Sequence, residues 1–191
     1  MTQIMDLFWE KGFEGTSMDD LVKTTGLNKG SLYTCFGNKE EIFKMALERY
    51  SGARASALRQ DESAIEALRN FYSFIISEAD LPKKKRRGCF LFNSCLEFGN
   101  KSANLTPFVI ALGKKRETFF QELVDKAKRD GEIPKDIDSK KAAQRAFATA
   151  FTIREMAKFK PDRDFLSEIA NSTLASLGAE ARVSNQTKEL M

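Results

Sequence analysis

A short segment carries amine, hydroxyl and small side chains in a pattern suited to binding an anionic polymer. Lys29, Gly30 and Ser31 are consecutive, and Tyr33 and Lys39 follow closely. A lysine can donate to guanine O6 and N7, and a serine hydroxyl can bond a base or a phosphate. A tyrosine hydroxyl and a second lysine can hold phosphate oxygens, and a glycine lets the backbone come close. The segment therefore predicts contacts to nucleic acid.

The surrounding residues predict two short helices joined by a tight turn. Ser17 can cap the first helix, and Asp20 can reach back to it as in a capping box. Gly26 supplies the positive φ at which that helix can end. Asn28 can cap a second helix that runs from about Lys29 to Phe36. A short helix held out from a small core fits the DNA major groove, so we predict a helix-turn-helix domain.

Two further pairs of residues are weaker candidates for DNA contacts. Thr16 and Ser17 can reach a phosphate, although capping alone explains both equally well. Thr34 and Cys35 can touch a thymine methyl group or a sugar. The candidate DNA-binding residues are Thr16, Ser17, Lys29, Gly30, Ser31, Tyr33, Thr34 and Lys39.

Many positions between about Ile4 and Tyr50 follow a fixed spacing without a gap: Leu7, Phe8, Gly12, Phe13, Thr16, Ser17, Met18, Leu21, Thr25, Gly26, Leu27, Lys29, Gly30, Ser31, Leu32, Tyr33, Phe36, Lys39, Glu40 and Leu47. With these positions the stretch resembles the DNA-binding domain of the TetR family of transcriptional regulators. A second segment, Arg87 to Glu97, is similar to the helix that leads into the ligand domain of some members. The resemblance implies a dimer, usually a repressor, that binds a partly palindromic double-stranded DNA operator and responds to a small hydrophobic or thiol-reactive effector.

Apolar residues recur at helical spacing along the whole chain, and no alternating strand pattern is present. We therefore predict an all-α fold of about nine helices: three helices and a linker helix from Lys39, then a larger helical domain. The predicted domains are residues 1–45, for DNA binding, and residues 46–191, for ligand binding and dimerisation.

The resemblance also implies a ligand pocket and a dimer interface in the C-terminal domain. The ligand candidates combine aromatic side chains with polar groups, although helical spacing also suits a simple core: Tyr72, Cys89, Phe92, Asn93, Phe119, Phe147 and Phe151. The last two helices carry small and apolar residues that either pack internally or pair with a second copy. The interface candidates are Ala146, Phe147, Ala150, Ile153, Ile169 and Thr173.

Composition excludes several classes of function. The chain has no histidine, which rules out Ser-His and Cys-His catalysis and histidine-ligated metals. Its three cysteines lack metal-ligand spacing, and their odd number argues against a disulfide scaffold. We expect no enzyme activity, cofactor or metal. No long apolar run or signal pattern is present, so we expect a cytoplasmic protein without a membrane partner.

Charge sets a condition on DNA binding. The net charge is +4, but residues 1–50 hold six basic and eight acidic residues, which leaves −2 there. Binding phosphates then requires Lys29 and Lys39 to face DNA while the acids face away. This deficit argues against a non-specific architectural DNA binder. A second alternative is a thiol-based redox protein, electrophile sensor or enzyme that uses Cys89, which follows the basic run Lys83 to Arg87.

Overall fold

Helices account for the regular structure of the described chain. The computed structural model describes residues 1–55, 63–99 and 101–179, and within these ranges it contains nine α-helices and no strand. Short 3-10 turns cover Glu78–Asp80 and Lys83–Lys85. The predicted all-α class with about nine helices is confirmed. The helices are α1 (Thr2–Lys11), α2 (Met18–Thr25), α3 (Lys29–Phe36), α4 (Lys39–Ala55), α5 (Ala64–Ser77), α6 (Phe90–Phe98), α7 (Leu105–Arg129), α8 (Ser139–Phe159) and α9 (Arg163–Ser176).

The chain divides into two compact units. Unit 1 consists of the described residues of 1–57 and 90–114, and it holds α1 to α4, α6 and the start of α7. Unit 2 consists of the described residues of 58–89 and 115–191, and it holds α5, the rest of α7, α8 and α9. The unit that contains the helix-turn-helix therefore includes α6 as well. The functional boundary between residues 45 and 46 stays a prediction.

Local sequence signals define α2 and α3. The Ser17 hydroxyl accepts from the Asp20 N–H, and the Asp20 carboxylate accepts from the Ser17 N–H, which completes the predicted capping box. Gly26 ends α2 in the left-handed conformation at φ 70°. Asn28 caps α3 by accepting from the Ser31 N–H. The inward side of α3 is anchored by Leu32, which is fully buried.

Aromatic side chains form the interior of unit 1. The Phe43 ring meets those of Phe8, Phe13, Phe90 and Phe98 edge to face, at centroid separations of 5.2–5.6 Å. Edge-to-face packing is the favoured arrangement of aromatic rings. These contacts join α1, the loop after it, α4 and α6 into one core.

Unit 2 is built on the mutual packing of α5, α8 and α9. Tyr72 on α5 is fully buried, and its hydroxyl donates to the Ala146 carbonyl on α8 at 2.9 Å. Burial of the phenol raises the pKa of Tyr72 far above its usual value, so the hydroxyl stays a donor. Among the helices of the described ranges, none combines enough length with enough apolar character to span a membrane.

A carboxylate from the segment between α7 and α8 caps α5. Glu132 accepts from the N–H groups of Ala64 and Ile65 and from the Ser63 hydroxyl, at 2.7–3.0 Å. Burial alone would raise the pKa of Glu132, but these hydrogen bonds outweigh it and hold that pKa below its usual value. The resulting stabilisation is full above the pKa of Glu132 in the unfolded chain. It is lost as the pH falls through the lower pKa of the folded protein.

Replacing this carboxylate should change both stability and its pH dependence. We expect Glu132→Gln to lower the free energy of unfolding by about 1 kcal/mol near neutral pH, because the site is partly exposed. The difference from the parent should shrink in acid, where the parent's Glu132 becomes protonated. Urea unfolding followed by circular dichroism measures it, with Glu122→Gln on α7 as the control. If the variant's free energy of unfolding were lower than the parent's by the same amount at acid pH, the capping role of Glu132 would be contradicted.

Candidate nucleic-acid interface

The outer face of α3 groups most of the predicted DNA contacts. Lys29, Gly30, Tyr33 and Thr34 are all exposed along it, and Tyr33 has 47% of its surface accessible. Ser31 lies half-buried beside them. Because Leu32 points into the core, the helix can present its other side without losing its own anchor. Cys35 is also exposed on this helix.

The surroundings of Gly30 and Thr34 show which parts of the α3 surface are used within the protein. The Thr34 hydroxyl donates to the Gly30 carbonyl at 2.9 Å, so its methyl group is the part that remains available for apolar contact. A Cβ atom at Gly30 would meet only Asn28 Oδ1, at an ordinary 3.4 Å. The protein alone therefore tolerates a methyl group at this position. A requirement for glycine there would have to come from a bound partner.

The two residues before α2 differ in their accessibility. Thr16 is fully buried, and its hydroxyl donates to the Gly12 carbonyl at 2.7 Å. That hydroxyl is used to shape the loop between α1 and α2. Ser17 is exposed, and its hydroxyl exchanges hydrogen bonds with Asp20. Capping thus accounts for the contacts of Ser17, whereas Thr16 is buried and bonds within the loop instead of capping α2.

Lys39 makes internal contacts as well. Its ammonium donates to the carbonyls of Phe13 and Thr16, at 3.0 and 3.1 Å, and lies 4.1 Å from the centroid of the Phe13 ring. A lysine has three N–H donors, and these two carbonyls use two of them. The side chain therefore holds the loop before α2.

Acidic residues near the interface are partly neutralised within the fold. Asp20 pairs with Lys11 at 2.9 Å. This hydrogen bond, together with those from Ser17, holds the pKa of Asp20 well below its usual range. Asp19 lies 3.8 Å from Lys29, but both side chains are mostly exposed, so the pair is weak. A DNA phosphate can replace Asp19 as the partner of Lys29.

One positioning residue escaped sequence reasoning. Glu97 on α6 accepts from the N–H of Phe13 at 3.0 Å and from the N–H of Glu14 at 2.8 Å. Gly12 ends α1 at φ 75°, and a Cβ atom there would lie 3.0 Å from both Glu97 carboxylate oxygens. The sequence does contain a signal for such a role, because Glu97 is the one charged residue of α6 and the other residues of this helix are apolar or neutral.

The predicted ligand residues fall into both units. In unit 2, the Phe120 ring links Phe119 and Phe147 at centroid separations of 5.9 and 5.7 Å, and Phe147 packs on Phe151 at 4.5 Å. The rings of Phe119, Phe147 and Phe151 are each half-buried. Unit 2 therefore brings these three together, whereas Tyr72 lies within its closed core.

The remaining ligand candidates have different surroundings. Phe92 and Asn93 are half-buried on α6, which belongs to unit 1. Cys89 is only 4% exposed, and its N–H donates to a carboxylate oxygen of Glu155 at 3.0 Å. Reagents in solution have little access to its thiol in this conformation.

The predicted dimer residues mostly face inward. Ala146, Ala150 and Ile153 are buried in the core of unit 2, so their side chains have little surface for a partner. Phe147, Ile169 and Thr173 are half-buried, and the Thr173 hydroxyl lies 2.7 Å from that of Thr149. The outward side of α8 and α9 carries other small residues: Ala148, Thr152, Ser172 and Ala175. The apolar spacing of α8 marks its inward side, and spacing alone does not distinguish a stripe that packs internally from one that pairs with a second copy.

Two family models cover most of the chain. Residues 1–46 match "Bacterial regulatory proteins, tetR family", and residues 64–173 match "Tetracyclin repressor-like, C-terminal domain". Together they include α1, α2, α3 and nearly all of the helices of unit 2.

The chain is also similar to individual transcriptional regulators. The HTH-type transcriptional repressor ComR of Escherichia coli K12 is 30% identical over 142 residues, which cover 72% of this chain and 68% of ComR. An uncharacterised HTH-type regulator of Bacillus subtilis, YezE, is 27% identical across 91% of both chains. A cysteine mutant of the TetR family regulator CifR, solved with a 26-bp double-strand operator DNA, superimposes with a TM-score of 0.76 at 25% identity. That alignment covers 91% of this chain and 93% of the CifR chain.

The internal role of Lys39 is testable without DNA. We expect Lys39→Gln to lower the free energy of unfolding of unit 1 by about 1–2 kcal/mol, because the Phe13 and Thr16 carbonyls lose a charged donor. Fluorescence of Trp9, the sole tryptophan, reports on this unit because its ring packs on Tyr50. Lys23→Gln on α2 removes an exposed charge and is the control. Equal stability of the two variants would contradict the role.

Proposed function

Because this chain belongs to the TetR family of transcriptional regulators, we propose that it is a repressor that binds a partly palindromic operator as a homodimer. An effector bound in the C-terminal region would lower its affinity for DNA. The observation that carries the proposal is the exposed outer face of α3, where Lys29 and Tyr33 project from a helix anchored by the buried Leu32. ComR is itself named as a repressor.

The proposed contacts follow from what each side chain leaves available. Lys29 reads a base edge or binds a phosphate, and Gly30 allows close approach of the α3 N-terminus. Tyr33 donates its hydroxyl to a phosphate, and the third N–H of Lys39 can do the same. The exposed Ser17 and Thr34 and the half-buried Ser31 complete the proposed footprint, and the buried Thr16 supports the loop before α2.

Dimerisation is proposed to use the outward side of α8 and α9. A single short recognition helix reads few bases, whereas two copies related by twofold symmetry read successive major grooves about 34–36 Å apart. Exposed small residues such as Ala148 and Thr152 allow close approach of helices from two protomers. Phe147, Ile169 and Thr173 are half-buried, so part of each side chain remains available to a partner.

The proposed effector is a small hydrophobic molecule held near the aromatic group of Phe119, Phe147 and Phe151 in unit 2. Such a ligand can change DNA affinity only by the difference in its own affinity for the two forms of the protein. A thiol-based mechanism receives less support, because Cys89 is almost completely buried. As a bacterial-type DNA regulator, the protein is proposed to act in the cytoplasm.

Selection from a random-sequence duplex library tests this proposal directly. The purified full chain should enrich one inverted-repeat sequence, and a footprint on that duplex should cover both half-sites. A reporter gene placed behind the selected duplex should be expressed less when the protein is present. Absence of any enriched sequence would overturn the proposal, and enrichment with activation of the reporter would overturn the repressor assignment.

The charge of Lys29 should be visible in the salt dependence of binding. If Lys29 contacts a phosphate, Lys29→Gln should reduce the slope of log K against log salt by about 0.9 per half-site. If it instead contacts a guanine, the affinity should fall by about tenfold or more for the selected sequence alone. Fluorescence anisotropy over a salt series measures both quantities. Lys23→Gln, which removes an equal charge on α2, serves as the control, and equal behaviour of the two variants would exclude a contact by Lys29.

A charge on the outward face of α8 should disrupt the dimer. Ala148→Arg should raise the dimer dissociation constant by about a hundredfold or more, because an unpaired charge would be buried at the interface. Analytical ultracentrifugation measures this, and operator affinity should fall in parallel. Ala111→Arg changes another exposed helical alanine, on α7, and should leave the dimer intact. A dimeric Ala148→Arg variant would place the interface elsewhere.

A further inference from the structure

The loop between α1 and α2 is held from two directions within unit 1. Glu97 on α6 accepts the N–H groups of Phe13 and Glu14, and Lys39 at the start of α4 donates to the carbonyls of Phe13 and Thr16. The negative carboxylate thus binds N–H groups of this loop, and the positive ammonium binds its carbonyl groups. The Glu97 contacts join residues more than eighty positions apart in sequence.

The carboxylate fits this loop closely. Both of its oxygens are used, one for each N–H, at 3.0 and 2.8 Å. Such charge-assisted hydrogen bonds are stronger than neutral ones. A Cβ atom at Gly12 would lie 3.0 Å from each oxygen, so glycine leaves the space that the carboxylate occupies. Neighbouring rings of Phe13 and Phe98 pack at 5.5 Å and fix α6 beside the loop.

This loop sets the start of α2. Thr16, its last buried residue, directly precedes the capping residue Ser17, and α2 packs in turn against α3. A change in the loop therefore reaches the recognition helix through one intervening helix. Interactions outside the DNA-contact surface can control affinity in this way, because a small misplacement of contacting groups is costly.

From this geometry we infer that Glu97 is a positioning residue for DNA binding, which rests on the proposed function. Its carboxylate couples α6 to the loop before α2, so that displacement of α6 or loss of the two hydrogen bonds lowers operator affinity. Glu97 itself makes no DNA contact in this account.

The direction of the change in DNA affinity distinguishes a positioning role for Glu97 from a simple effect of its charge. Removing a negative charge from a DNA-binding protein should by itself raise its affinity for a polyanion. Glu97→Gln keeps the size of the side chain, but its NH2 group cannot accept a hydrogen bond, so one of the two N–H donors loses its partner. We therefore expect operator affinity to fall by about tenfold despite the favourable change in charge. Glu48→Gln, on the exposed side of α4, removes an equal charge and should bind as well as or slightly better than the parent.

The experiment combines affinity with hydrogen exchange. Anisotropy on the duplex selected by the parent protein gives the affinities and their salt slopes, and NMR gives the exchange rates of the Phe13 and Glu14 amides. Glu97→Gln should lose affinity with an unchanged salt slope and should exchange these two amides at least tenfold faster. The parent's own amides at these positions should be protected although they lie in a loop.

Distinct results would overturn the inference. An unchanged affinity in a folded Glu97→Gln variant would do so, as would a loss matched by Glu48→Gln. If the variant does not fold, the parent remains informative, because unprotected Phe13 and Glu14 amides would show that the carboxylate does not hold the loop. Failure of the parent to select any duplex would instead count against the proposed function and leave the hydrogen-exchange result to decide the loop contact.

Discussion

The structure depends on a length constraint: α3 has eight residues, and an isolated helix of that length is not stable in water. Its stability must come from its surroundings. The Asn28 cap satisfies its first turn, the buried Leu32 fixes its inner side, and the aromatic core around Phe43 supports α1 and α4 on either side of the helix-turn-helix. The outer face is consequently relieved of any packing role, which is the condition for using it in recognition.

Charge is the second constraint. Residues 1–50 carry more acidic than basic residues, yet a DNA-binding surface needs local positive charge. Several acids have structural tasks: Asp20 accepts from the Ser17 N–H in the capping box of α2 and pairs with Lys11, and Glu40 accepts a hydrogen bond from Asn104. The basic residues are also shared between tasks, since Lys39 binds two backbone carbonyls. Specific contacts at a few positions suit such a surface better than non-specific attraction does.

Sequence reasoning recovered the features that depend on local chemistry. The bounds of α3, the capping box at Ser17 and the glycine stop at Gly26 all follow from neighbouring residues. Features that depend on distant parts of the chain were not accessible: the Glu97 contact joins α6 to a loop far away in sequence, and the buried hydroxyl of Thr16 depends on tertiary packing. Spacing also does not separate a core stripe on α8 from a dimer-interface stripe, because small and apolar residues suit both.

Contact between the outer face of α3 and operator DNA should shield this helix from solvent. Hydrogen exchange of the full chain, followed by mass spectrometry with and without the selected duplex, tests it most directly. Exchange should slow in peptides that cover residues 28–37, with a second effect at the start of α2. Unchanged exchange across residues 28–37, with protection confined to unit 2, would contradict it.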